Sequence, residues 1–220
     1  MNKIEKKLVK LQTKAQGCVS RKQAVKIINK AKKLKPPMIK IYDNFLSRED
    51  FKLTSSFLLS SQIPWTYSDT ITGREQGSDS YQFVHTFFNF ATPFDCNSCK
   101  YSRFLDPLWN KLAPKYILRV KANLRPRTSE LVQSDWHTDV DFEQAKTCIF
   151  YLNSNNGCTV FKSGERVNSQ ANRLLLFDSH LEHSGTSCTD QRRRVVLNIN
   201  YVPSKMNGLY QLPSNFNKNV

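Results

Sequence analysis

At 220 residues the chain is long enough to bury a full core, and one domain with an appendage is the natural expectation. A hydrophobic content of 39%, with 14 Phe and 8 Tyr, excludes an intrinsically disordered polymer, and no apolar run approaches the roughly 20 residues of a membrane-spanning helix. The net charge of +15 is concentrated: residues 1–40 hold 13 Lys and Arg against the single Glu5, while the rest of the chain carries a balance of only +3.

The segment Met1 to Lys14 is basic but lacks the apolar stretch of a secretory signal, so a soluble, cytoplasmic protein is expected. Its six cysteines are then expected to be reduced thiols. Cys96-Asn97-Ser98-Cys99 has CxxC spacing, yet no second pair lies at knuckle distance. Structural zinc requires four protein ligands, so two free thiols in a loop are expected here.

In chain order, residues 1–35 read as two amphipathic helices. Ile4, Leu8, Leu11 and Ala15 form one narrow apolar stripe before Gly17. Ser20 opens a capping-box pattern with Gln23, followed by Ala24, Ile27, Ile28, Ala31 and Leu34 on one face. Pro36-Pro37 ends the second helix and closes a basic helical extension over 1–37. This extension has two readings, a solvated helical face or a contact surface for a polyanion such as nucleic acid or the ribosome.

The main domain is expected over 38–203, with 204–220 as a surface tail. Met38–Tyr42 reads as a strand, and Ser47 with Asp50 caps a helix running to about Leu59. Tyr81–Phe90 is strand-like and Phe104–Leu112 helical around Pro107. Short strands then follow at Ile117–Leu124, Trp136–Val140, Thr147–Asn153, Thr159–Lys162, Arg173–Phe177, around His183 and over Arg194–Val202. Strands this short, with turn signals this frequent, predict an α+β chain with a mainly β core, a sandwich or jelly roll rather than a βαβ sheet.

His85, His137, His180 and His183 are the four histidines of the chain. His137-Thr138-Asp139 places an imidazole and a carboxylate two residues apart, and on a strand such residues share a face. A third ligand must come from another strand, and both His180 and His183 follow the apolar run Leu174-Leu175-Leu176-Phe177. Two His and one carboxylate with an open opposite side suit a non-haem Fe(II) that activates oxygen.

The order Trp136-His137-Thr138-Asp139, Cys148 to Asn153, Gly157 to Phe161, Phe177 to His183 and Arg194 with its apolar strand resembles the 2-oxoglutarate/Fe(II) dioxygenases, prolyl-hydroxylase-like branch. The resemblance covers about 38–203 and is densest over 117–203, where it implies a double-stranded β-helix with supporting helices. It implies Fe(II) and 2-oxoglutarate as cofactor and co-substrate, O2 as oxidant, and His137, Asp139 and His183 as metal ligands. His183 is favoured over His180 because Ser184-Gly185 follows it. A cation for the distal carboxylate of 2-oxoglutarate is expected among Arg192, Arg193 and Arg194. Arg194 is the best placed, sharing a face with Asn198 and Asn200; Arg192 shares its parity and Arg193 should face out. Tyr151, Thr159 and Asn123 are further candidates for that pocket. Asn156-Gly157 departs from the branch's usual double glycine.

The implied reaction is hydroxylation of a C–H bond, in a prolyl or other side chain of a protein or peptide. Two alternatives stand beside it: a nucleobase oxygenase guided by the basic N-terminus, and a catalytically silent binding module.

Overall fold

The computed structural model of the chain describes residues 3–18, 20–34, 38–71, 81–91, 102–142 and 144–204. The chain divides into two units, 1–38 and 39–220. In the first, α1 (Lys3–Gln16) and α2 (Arg21–Leu34) pack on each other. Leu8, Leu11, Ala15, Ala24 and Ile27, all stripe positions, are partly buried there. Pro36-Pro37, Cys96, Cys99 and the tail from 205 lie outside the described residues. Among those described, no helix is long and apolar enough to cross a membrane, and Cys18, Cys148, Cys158 and Cys188 are free thiols.

The second unit runs β1 (Ile39–Tyr42), α3 (Arg48–Leu58), β2 (Thr66–Ser68), β3 (Gln82–Asn89), a 3-10 turn (Ser102–Phe104), α4 (Asp106–Leu112) and β4 (Pro114–Pro126). It continues through β5 (Lys146–Tyr151), β6 (Cys158–Phe161), β7 (Arg166–Asn168), β8 (Arg173–Asp178), β9 (His183–Gly185) and β10 (Arg193–Pro203). Ser47 caps α3 as its pattern predicts, its Oγ accepting from Asp50 N at 3.1 Å. Pro107 sits in the first turn of α4, and the left-handed Ala113 stops that helix. The three-residue strands β2 and β7 escape a reading by pattern because so short a segment has no period to detect. Trp136–Val140, expected as a strand, forms only a single bridge, His137 with His183.

Among the described residues all strand pairs are antiparallel. A seven-stranded sheet has the order β1-β8-β5-β10-β4-β3-β2, and a three-stranded sheet the order β7-β6-β9. The two sheets enclose a core of Ile149, Tyr151, Leu175, Phe177 and Val196 against Phe161 and Val167. That core identifies the inner face of the large sheet: odd positions on β5 and β8, even positions on β10. Register carries the inner face to Arg119, Lys121, Asn123 and Arg125 on β4. The opposite face is covered too: Phe150 meets Phe45 and Phe51 edge-on at 6.2 and 6.0 Å. All six residues of β5 are therefore buried.

Candidate metal centre

Three donor side chains converge at one end of the two sheets. His137 and His183 are locked by reciprocal backbone bonds, each N–H donating to the other's carbonyl at 3.0 Å. Their rings lie 4.5 Å apart. One ligand atom from each of His137, Asp139 and His183 falls within 4.8 Å of the others. In both histidines Nδ1 lies against the carbonyl two residues earlier, Asp135 O at 3.1 Å and Leu181 O at 3.0 Å. A proton on Nδ1 satisfies that bond and leaves the Nε2 lone pair free, which is how imidazole metal ligands are held.

Asp139 is aimed by other means than strand parity, since Trp136–Val140 is not a strand. Its Oδ1 accepts from Arg119 Nη2 at 2.6 Å, Thr147 donates to Oδ2 at 3.0 Å, and Asn198 Nδ2 reaches both oxygens at 3.1 and 3.2 Å. Three strands of the large sheet thus hold one carboxylate. Burial alone would raise its pKa, but His183, Arg119 and His137, with the Asn198 bond, outweigh it and hold the group at about 2. Oδ2 lies 3.6 Å from His183 Nε2. An anionic carboxylate and two tautomer-fixed imidazoles on one patch are a donor set that fits a divalent transition metal. Burial, then His183, lowers the pKa of His137, which favours its neutral form.

Deeper between the sheets, Arg194 is 5% exposed. Its Nε donates to Ser169 Oγ at 2.8 Å and its Nη2 to Thr159 Oγ1 at 3.3 Å, and its guanidinium lies 5.6 Å from the Tyr151 ring. Tyr151 OH donates to Thr159 Oγ1 at 2.8 Å. Arg194, Tyr151 and Thr159 are therefore one cluster. Asn123 joins the same inner face beside Val196, its Oδ1 buried without a partner. Arg192 is exposed in the turn before β10, and Arg193 turns to the opposite face to donate to Leu59 O. His180 is exposed in the turn after β8 and is not part of the donor cluster.

Arg119, Lys121, Thr147 and Arg125 went unnoticed in the sequence. For the three on β4 the signal was the alternation Arg119-Val120-Lys121-Ala122-Asn123-Leu124-Arg125, whose polar side reads by default as solvent-facing. Burial, then Arg119, pushes Lys121 down to about 8 against the opposing pull of Asp139. A separate apolar cavity of about 750 Å³, lined by Phe87, Leu105, Trp109, Leu118 and Phe142 among others, includes none of the donor or arginine-cluster residues.

No protein-family model and no curated protein matches the chain. Solved structures do. A Pseudomonas putida prolyl-4-hydroxylase aligns over 78% of this chain and 96% of its own, at TM-score 0.51 and 12% identity. The non-heme alpha-ketoglutarate-dependent epimerase SnoN from nogalamycin biosynthesis aligns over 80% and 85%, at 0.50 and 12%. An oxidoreductase of the 2OG-Fe(II) oxygenase family from Burkholderia pseudomallei aligns over 74% and 84%, at 0.50 and 9%. With its antiparallel sheets closed around a buried inner face, the chain has the double-stranded β-helix fold of the 2-oxoglutarate/Fe(II) oxygenases.

Proposed function

We propose that the chain is a 2-oxoglutarate/Fe(II) dioxygenase that hydroxylates a C–H bond. The observation that carries this reading is the convergence of His137, Asp139 and His183, with both Nδ1 atoms tied to backbone carbonyls. Those ligands are His Nε2 atoms and the Asp139 carboxylate, and the buried Arg194 with Tyr151 and Thr159 is suited to the distal carboxylate of 2-oxoglutarate. When bound, Fe(II) with 2-oxoglutarate supplies oxygen activation and the electrons that C–H hydroxylation needs. The chain's part is to keep the carboxylate anionic and to orient all three ligands, with each imidazole's Nδ1 tied to a backbone carbonyl.

The substrate reading follows the resemblance to the prolyl-hydroxylase-like branch: a prolyl or other side chain in a protein or peptide. A nucleobase is the second reading, supported by the net charge of +12 within residues 1–40. Anaerobic protein with Fe(II) and 2-oxoglutarate is expected to show the visible charge-transfer band of the chelate, and His137→Ala to abolish it. No band in the wild-type protein rejects the enzyme. Mass spectrometry of peptides and oligonucleotides for a 2-oxoglutarate-dependent gain of one oxygen separates the two substrate readings.

A further inference from the structure

Arg125 and Arg194 stand directly opposite each other in the β4–β10 register, on the inner face of the large sheet. Both are buried, 6% and 5% exposed. Arg125 Nη1 donates to Ser134 Oγ at 2.8 Å and to Gly185 O at 3.0 Å. Arg194 Nη1 lies 3.4 Å from where a Cβ on that same Gly185 would stand. The two guanidiniums therefore meet at one residue, Gly185.

The acceptors of these groups are neutral: the Ser134, Ser169, Thr159 and Tyr151 hydroxyls and the Gly185 carbonyl. Among the described residues neither guanidinium has a carboxylate partner. The nearby Cys188 thiol does not supply the missing charge, because burial pushes its pKa up. Burial, then Arg194, pushes Arg125 down to about 10, which leaves it cationic at neutral pH. Two like charges taken out of water side by side are costly unless an anion completes the site. Donors remain for one: Nε and Nη2 of Arg125 have no acceptor among the described residues, while Arg194 also bonds the Tyr151 hydroxyl.

We propose that Arg125 and Arg194 form a two-guanidinium clamp for one carboxylate of a dicarboxylic acid, and that Arg125 makes the site select 2-oxo diacids over 2-oxo monoacids. The identity of the acid rests on the dioxygenase reading; the need for an anion rests on the charges alone. Tyr151 and Thr159 border the clamp, and the fork geometry of each arginine supplies paired N–H donors. Succinate, which keeps a carboxylate at each end but has no keto group, is a ligand for the clamp that does not depend on the metal.

The test uses thermal unfolding and binding titrations of the full chain, metal-free, with 2-oxoglutarate, succinate, 2-oxopentanoate and inorganic phosphate. Wild-type protein is expected to be stabilised by the two diacids and not by 2-oxopentanoate, which lacks the distal carboxylate. Arg125→Met is expected to unfold no earlier than wild type without ligand, since it removes a like charge. Ser134 N–H and Oγ still donate to Gly185 O in that variant. Its Kd for both diacids is expected to rise at least about tenfold. Arg125→Lys, which keeps the charge but not the fork, is expected to fall between.

Diacid binding in Arg125→Met within about twofold of wild type overturns the clamp. So does a loss of stability in Arg125→Met with an equal fall in affinity for the diacids and for phosphate, which marks a structural role only. Stabilisation of wild type by phosphate but by neither diacid overturns the diacid assignment. Arg125-dependent succinate binding, in a protein with no anaerobic chelate band, supports the clamp and counts against the dioxygenase reading.

Discussion

Arg119 on β4 and Asp139 on the loop beyond it form an ion pair, Nη2 to Oδ1 at 2.6 Å, that is anchored at its other end by Arg119 Nε donating to Asn200 Oδ1 at 2.9 Å. The pair holds Oδ1, while Oδ2, bonded by Thr147 and Asn198, lies 3.6 Å from His183 Nε2. Neighbours that orient a ligand in this way typically change metal affinity by about 10- to 100-fold when removed. Arg119→Gln is therefore expected to weaken Co(II) or Mn(II) binding by that factor while leaving the far-ultraviolet spectrum unchanged. Unaltered metal affinity would show that Asn198 and Thr147 position Asp139 without it.

The two candidate histidines after β8 separate cleanly. His183 is buried against Phe177, its ring 4.7 Å from the phenyl, whereas His180 is exposed. His183→Ala is expected to abolish stoichiometric metal binding, and His180→Ala to retain it, by metal analysis after dialysis. Loss of binding in both variants would mean that the turn, rather than one ligand, is what matters.

Gly157 has no space for a side chain. A Cβ there would stand 2.5 Å from Ser187 O and 2.8 Å from Arg194 Cδ, and the first of these is backbone that cannot rotate away. Gly157→Ala is expected to destabilise the protein by about 1–3 kcal/mol in urea unfolding. It also displaces Arg194, so 2-oxoglutarate affinity is expected to fall more than metal affinity. An equal fall in both would place the strain at the metal centre instead.

Acid is expected to act on the metal-free protein in two stages. Burial first lowers the pKa of both His85 and His137, so the unfolded chain binds protons that the folded chain does not. Stability therefore falls as pH drops through the ordinary histidine value of 6.5. Asp139, held at about 2 against an ordinary 3.8, contributes stability that is present above about pH 4 and lost as pH falls through 2. That second contribution is about 2 kcal/mol. Urea midpoints measured from pH 8 to 3 check both; a midpoint that stays flat between pH 7 and 5 would contradict the first.

Residues 1–38 form a unit of their own. Removing 1–35 is expected to leave the unfolding midpoint of the remaining domain within about 1 kcal/mol, and to reduce salt-dependent binding to a model polyanion such as heparin. Retention of that binding would assign it to the main domain.

Much of this was present in the sequence because it is local. Ser47 with Asp50 announces a cap, Pro107 a helix, and the apolar runs of β5, β8 and β10 announce strands. The His137-Thr138-Asp139 pair belongs to the same kind of information, whereas the choice of His183 over His180, and of Arg194 among three arginines, came from the resemblance to the 2-oxoglutarate/Fe(II) dioxygenases. What the sequence did not reveal depends on which strands lie side by side. Only the β3–β4–β10–β5 order brings Arg119, Thr147 and Asn198 around one carboxylate, and only the register of β4 against β10 sets Arg125 opposite Arg194. The alternation along β4 states that polar residues share a face; it does not state that the face is interior. Long-range pairing decided that, by closing the small sheet over the large one and leaving two buried guanidiniums with no carboxylate partner among the described residues.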